Sequence, residues 1–421
     1  MFQGYHLRNS TFRNTRPGQE LTGWLFQVKS SGMIRSRKKK RLVKLQGHRL
    51  TVLDAQTGDV KQDLYLSEGS VDGGPGDKVM TLSIKTKKLI LIAETEKEYA
   101  EWLSSFTYAF RRLEQYYELG NEIGRGAFSI VRQGRMRENS KPVAVKVIRN
   151  VGEARFLHRN EIEILARVEH ANIVQTHDVF ERKTETYIVM EYMRGGELYD
   201  VIAEAESFSE KISREVLRDI LKGIQYLHSN GIVHRDLKPE NLLCNSKIFP
   251  PSVKIADFGL SAYLGSDRGE MLNTLVGSPG YVAPEILLKR PYSKPVDMWA
   301  VGVIFHQMLT SLLPYSASSE REYVDMALIG PTFKGSEWEG ISVDARDLIT
   351  SLLSFDPGDR PSAEMALKHR FFKSVRLSSQ TIARQRRSLL HSCQRSSVSV
   401  QKEVIPKRLT DSSLISSSML L

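Results

Sequence analysis

The chain has 421 residues, enough for two or three domains. With 41% apolar and 26% charged residues it has the composition of a folded protein, which excludes a collagen-like or mainly disordered chain. Its two cysteines, Cys244 and Cys393, exclude a disulfide framework or zinc cluster and point to a reducing, cytoplasmic compartment.

The net charge of +11 is unevenly placed. Residues 1–115 carry 20 Lys and Arg against 12 Asp and Glu, residues 373–421 carry 9 against 2, and residues 116–372 carry 31 against 35. A basic total suits nucleic acid as a partner. Here the largest block is acidic and nothing resembles a groove-reading element, so no nucleic acid is expected.

Residues 1–19 are polar, lack the apolar stretch of a signal peptide, and read as a flexible start. Residues 20–113 read as short strands followed by a helix. Leu21–Lys29, Arg41–Leu45, Arg49–Asp54 and Val79–Ile84 have partly alternating apolar patterns, separated by turn residues such as Thr57-Gly58. Over Thr95–Arg112 the spacing becomes helical, with Tyr99, Trp102, Phe106 and Phe110 on one face, and Thr95 with Glu98 forms a capping box. Residues 117–372 begin strand-rich and become helix-rich, an α+β pattern. No run of about 18 apolar residues predicts a membrane-spanning helix. Residues 373–421 hold 15 Ser and Thr and read as a mostly disordered basic tail.

Gly124-Arg125-Gly126-Ala127-Phe128-Ser129 is a glycine-rich turn between strand-like segments. Glycines there let backbone N–H groups approach phosphate oxygens. Alone the turn is weak evidence. Four further motifs follow in order: Val143-Ala144-Val145-Lys146, His234-Arg235-Asp236-Leu237-Lys238-Pro239-Glu240-Asn241, Asp257-Phe258-Gly259 and Ala283-Pro284-Glu285. This set resembles the protein-kinase signature over 117–372, most like the calcium/calmodulin-dependent group.

The resemblance implies the bilobal protein kinase fold and an ATP- and Mg-dependent serine/threonine protein kinase. ATP would sit among Gly124 to Ser129, Val131, Ala144 and Lys146. Glu161, rather than Glu163, would orient Lys146. Met190, Glu191 and Met193 would lie along the adenine, with Met190 as gatekeeper. Glu197 would face the ribose or a basic residue of the protein substrate. Asn241 and Asp257 offer the hard oxygen ligands that Mg prefers. Asp236 would accept the substrate hydroxyl proton and Lys238 would stabilise the transferring phosphoryl group. Asp297 and an Arg360–Glu285 pair are expected to stabilise the fold. Arg235 calls for a negative partner, and Thr274 is the expected phosphorylation site. Ser278 stands where threonine is commonest. Thr176 replaces an expected leucine, which is expected to lower basal activity.

Residues 20–113 resemble a pleckstrin-homology domain: a strand opening at Thr22-Gly23-Trp24-Leu25, a loop, a second strand starting at Lys39-x-Arg41, and a closing helix with Trp102. By that resemblance Lys29, Lys39 and Arg41 would hold an inositol phosphate. Recruitment to an anionic, phosphoinositide membrane is then expected, with protein docking as the other reading. In the tail, Gln380–Arg395 mixes Ile382, Leu389, Leu390 and Cys393 with Arg384, Arg386, Arg387 and Arg395. Calmodulin, an anionic membrane and the chain's own acidic surface stay open as its partners. The competing reading of the whole is a lipid- and protein-binding scaffold with a weak or inactive kinase fold.

Overall fold

The computed structural model describes residues 20–29, 37–66, 69–74, 76–126, 129–150, 154–264, 272 and 274–373. The loop before Arg37, the turn residues Ala127 and Phe128, and the tail with its basic amphipathic stretch lie outside the described residues. The described residues fall into two compact units: 20–193 with Asp257–Ser261, and Arg194–Ala256 with 262–373.

The first unit opens with seven antiparallel strands, β1 (Glu20–Lys29), β2 (Arg37–Gln46), β3 (Arg49–Asp54), β4 (Val60–Tyr65), β5 (Gly69–Gly73), β6 (Val79–Ile84) and β7 (Lys87–Ile92). Their order in the sheet is β4-β3-β2-β1-β7-β6-β5. Leu25, Val43, Val52, Met80, Leu82 and Leu91 point to the inner face, because side chains alternate along each strand. Helix α1 (Glu96–Ala109) closes that face with Tyr99, Trp102 and Phe106. Its N-terminus carries the expected capping box between Thr95 and Glu98. Gly23 lets the helix pack closely: a Cβ there would come within 3.3 Å of the Trp102 indole, tighter than an ordinary contact.

The sequence pattern missed β4, β5 and β7. Strand β4 is polar, β5 carries Gly69 and Gly73, and β7 is apolar on both faces instead of alternating.

A short turn of helix, α2 (Leu113–Tyr116), leads into a second antiparallel sheet. It comprises β8 (Tyr117–Arg125), β9 (Ser129–Met136), β10 (Pro142–Arg149), β11 (Thr176–Glu181) and β12 (Glu185–Glu191), in the order β11-β12-β10-β9-β8. Helix α3 (Ala154–Arg167) lies between β10 and β11 in sequence.

The second unit is mainly helical. It contains β13 (Gly196–Glu197), α4 (Leu198–Ala205), α5 (Glu210–Ser229), β14 (Ile232–Val233), β15 (Leu242–Cys244), β16 (Val253–Ile255), β17 (Ala262–Tyr263), α6 (Pro284–Leu287), α7 (Pro295–Thr310), α8 (Glu320–Ile329), α9 (Val343–Leu352) and α10 (Ala363–Leu367). Helix α7 is buried all round, from Val296 to Thr310, and forms the centre of this unit. The expected Arg360–Glu285 pair is present: two N–H groups of Arg360 donate to the two carboxylate oxygens at 2.7 and 2.8 Å, fully inside the unit.

Candidate active site

In the first unit, β10 presents Lys146 in a row of directly opposed residues. Gly124 on β8 faces Val131 on β9, Val131 faces Lys146, and Lys146 faces Ile188 on β12. One step along, Ala144 lies opposite Met190. Lys146 Nζ donates to Glu161 Oε1 at 2.7 Å and to Asp257 Oδ1 at 2.9 Å. Glu161 comes from α3 and its side chain is only 2% exposed. Glu163, two residues on, instead pairs with Arg167 on the outer side of α3. Burial pulls the Lys146 ammonium down, but the Glu161 and Asp257 carboxylates outweigh it and hold the group above its ordinary value, so it is a permanent cation.

Asp257 has φ of 58°, in the left-handed region that costs a non-glycine residue on the order of 1–2 kcal/mol. The Gly259 N–H bonds its Oδ1 at 3.2 Å and helps hold this conformation. Asn160, next to Glu161, donates its side-chain N–H to the Ser261 carbonyl at 2.7 Å. That link ties α3 to the segment following Asp257. No short-range pattern marks it, since the partners are 101 residues apart.

Where the glycine-rich turn closes, the Gly126 N–H bonds the Ser129 carbonyl at 2.8 Å, and a Cβ on Gly126 would approach Ser129 Oγ to 3.2 Å. Thr176 starts β11 opposite Met190, with its hydroxyl buried and without a hydrogen-bond partner among the described residues. Met193 is buried, and it ends this unit.

In the second unit, residues 234–241 form the loop between β14 and β15. Ser278 Oγ donates to Asp236 Oδ1 at 2.7 Å, and Lys238 Nζ donates to Ser278 Oγ at 2.6 Å. Asn241 Nδ2 donates to the Asp236 carbonyl and carboxylate at 2.8 and 3.0 Å. A small cavity adjoins Asp236 and Ser278 and is walled also by Leu237 and Tyr281. Buried Asp297 anchors the loop from below, accepting N–H groups of His234 and Arg235 at 2.9 Å each. Burial pushes its carboxyl up, but His228 and these N–H groups outweigh that and hold it below the usual range. Arg235 also has a positive φ, 70°, which those bonds sustain.

Arg235 donates to the Tyr292 hydroxyl at 3.2 Å, and that hydroxyl donates to the Thr274 carbonyl at 2.7 Å. The Thr274 side chain is exposed. Glu197 lies in β13, exposed. Its carboxyl is pushed up by local desolvation and by the charges of Asp200 and Glu240, with Lys238 opposing.

A protein kinase domain model matches residues 117–372. The chain belongs to the protein kinase family. Over 265 residues the kinase is 44% identical to a Dictyostelium discoideum protein named "Probable myosin light chain kinase", covering 61% of this chain and 67% of that one. It is 39% identical over 270 residues to human serine/threonine-protein kinase H1, covering 64% of each chain. It is 38% identical over 259 residues to calcium/calmodulin-dependent protein kinase type IV of Mus musculus, covering 61% of this chain and 55% of that one. The chain is thus a serine/threonine protein kinase, and its family uses ATP and Mg.

The residues expected to hold an inositol phosphate fare differently. Lys29 and Lys39 occupy neighbouring positions near the end of the β1–β2 hairpin, Lys39 opposite Gln27. Arg41 is a correction. It is 4% exposed, and its guanidinium donates to Asp54 and to Gln27 Oε1. Alternation turns it to the inner face beside Leu25, where it is buried and compensates the Asp54 carboxylate instead of facing a surface ligand.

Proposed function

We propose that this kinase transfers the γ-phosphoryl group of ATP to Ser or Thr hydroxyls of proteins, with the roles assigned as follows. Lys146, held by Glu161, binds the α/β-phosphates as a fixed cation, and the Gly124–Ser129 turn supplies backbone N–H groups. Val131, Ala144, Met190, Glu191 and Met193 seat the adenine. Asp236 accepts the proton of the substrate hydroxyl, and Lys238 stabilises charge on the transferring group. Asp257 and Asn241 each carry a hard oxygen of the kind Mg prefers, and the Asn241 amide nitrogen is already committed to Asp236, which leaves its oxygen for a cation. Bound Mg supplies neutralisation of phosphate charge.

The observation that carries the reading is the chain of bonds from Lys238 through Ser278 to Asp236, which fixes the carboxylate beside a lysine. The test is incorporation of γ-phosphate into a Ser peptide with an upstream Arg. Asp236→Asn must abolish it. No incorporation by the unaltered chain would leave the scaffold reading standing, and full activity in the variant would remove Asp236 from the chemistry. Glu197, with Asp200 and Glu240 beside it, favours a basic residue upstream of the target. Arg235, reaching Thr274 through Tyr292, supports Thr274 as an activating phosphorylation site.

We also propose that residues 20–113 form a pleckstrin-homology-like domain that recruits the cytoplasmic kinase to anionic membranes. The seven-stranded sheet closed by a helix bearing Trp102 supports the first part. Exposed Lys38, Lys39 and Lys40 at the β1–β2 hairpin support the second, each worth about 1 kcal/mol near an anionic surface. Lys40 contributes less, because it pairs with Glu94 at 3.0 Å. Full-length chain should bind phosphoinositide vesicles, and a Lys38/Lys39/Lys40 triple-Ala variant should bind several-fold more weakly. Equal binding by both would remove the membrane assignment. The calmodulin-kinase relative makes calmodulin a further candidate partner, tested by activity with and without calcium and calmodulin.

A further inference from the structure

The seven-stranded domain and the kinase's five-stranded sheet lie in one unit and meet at a place no motif marks. His48, in the turn between β2 and β3, is 1% exposed. Its two ring nitrogens face the Ala109 carbonyl at the end of α1 and the Val179 carbonyl on β11, the latter at 3.2 Å. The ring stacks with Tyr108 on one domain and Phe180 on the other, centroids 6.3 and 6.1 Å away. Arg111, just after α1, donates to both carboxylate oxygens of Asp178 at 2.8 and 3.2 Å, and the Tyr117 hydroxyl donates to the same carboxylate. The guanidinium lies 4.3 Å over the Tyr116 ring and 5.5 Å over Phe180.

Strand β11 is the edge of its sheet, and its pairing with β12 slips at Thr176/Asp178. A slipped edge strand is weakly held from inside the sheet. The His48 and Arg111 contacts supply a grip from outside. Val179, the residue gripped by His48, faces Ile188, which faces Lys146. The row that begins at Gly124 therefore crosses all five strands and ends under His48.

We propose that His48 and Arg111 are positioning residues for phosphotransfer: they hold the edge strand and, through this row, the placement of Lys146, so that the N-terminal domain is a working part of the nucleotide-binding sheet. The proposal rests on the assignment of Lys146 to ATP. Neither residue touches a reacting group. Arg111 and Asp178 form a partly buried ion pair that acts as a unit, because either partner alone is left without its counter-charge.

The test uses the full-length chain. Arg111→Gln and Asp178→Asn should each raise KM for ATP by about five- to tenfold, with the peptide KM unchanged. The double variant should be close to either single one, since both remove the same interaction. Backbone amides of Val145 to Val147 should exchange faster, while those of α5 and α7 stay as they were. A generic loss of stability would not give that split. Should these chains fail to fold, His48→Phe, which keeps the ring stack and loses both carbonyl contacts, carries the same test. Folded variants with KM for ATP within about twofold of the unaltered chain and unchanged exchange on β10 would overturn the proposal. Failure of the Lys146 assignment would look different: Lys146→Met would keep its ATP affinity while exchange on β10 still responded to Arg111→Gln.

Discussion

Ser278→Ala removes one oxygen from the second unit and should slow the reaction without unfolding the kinase. The hydroxyl both accepts from Lys238 at 2.6 Å and donates to Asp236 at 2.7 Å. A hydrogen bond to a charged group contributes about 1.5–3 kcal/mol. Lys238 is already 3.4 Å from the other Asp236 oxygen, so a direct ion pair can recover part of the loss. The lower end, about 1.5 kcal/mol, is therefore expected, which corresponds to about tenfold in kcat. The assay is steady-state phosphorylation of a Ser peptide with ATP and peptide varied independently. The loss should fall on kcat, and KM for ATP should not move. Ser278→Thr keeps the hydroxyl and should lie within about twofold of the unaltered chain. A folded Ser278→Ala kinase with undiminished kcat, or a loss confined to KM for ATP, would refute the idea that this hydroxyl orients Asp236.

Arg360→Met should strand the Glu285 carboxylate inside the second unit and cost about 3–5 kcal/mol of stability, read by denaturant or thermal unfolding. Asn160→Asp, which matches the shape of asparagine but cannot donate to the Ser261 carbonyl, should lower kcat more than Asn160→Gln, which retains a donor; equal activities would remove Asn160 from the positioning of Glu161. Thr274→Ala should lower activity markedly, and an unchanged turnover would dismiss Thr274 as the activating site. His48 is held below its ordinary value of 6.5 by burial first and by Arg111 in addition, with the Ala109 and Val179 carbonyls and Asp178 opposing. Below about pH 6.5 the unfolded chain takes up a proton that the folded chain refuses, so stability should fall with pH by up to about 1.4 kcal/mol per unit. In His48→Phe that component should vanish, and unfolding measured from pH 7 to 5 checks it.

The kinase motifs were legible in the sequence because each is a short run in which backbone conformation and chemistry reside together. A glycine turn, a lysine in a strand and an Asp-x-Lys-x-x-Asn loop need few distant neighbours to be recognised. The helical stripe of Tyr99, Trp102 and Phe106 was legible for the same reason: its period lies within one element. The missed strands failed that test. Strand β7 carries apolar residues on both faces, and β5 holds two glycines because Ser83 and Tyr99 crowd those positions, facts set by other parts of the chain.

Pairing across long separations was decided by tertiary structure alone. Lys146 meets Asp257 across 111 residues, and His48 meets the Val179 carbonyl across 131. Nothing in either local sequence specifies such a partner. The case of Arg41 shows the physical reason most directly. Its spacing from Lys29 and Lys39 is correct for a cationic pocket, and the sequence determined that three cations would cluster at one hairpin. Which of them stays available depends on strand register and on Asp54, placed opposite by β3. A cation turned to the inner face can be buried only with a carboxylate beside it, and that requirement, met thirteen residues away in the chain, takes Arg41 from the surface.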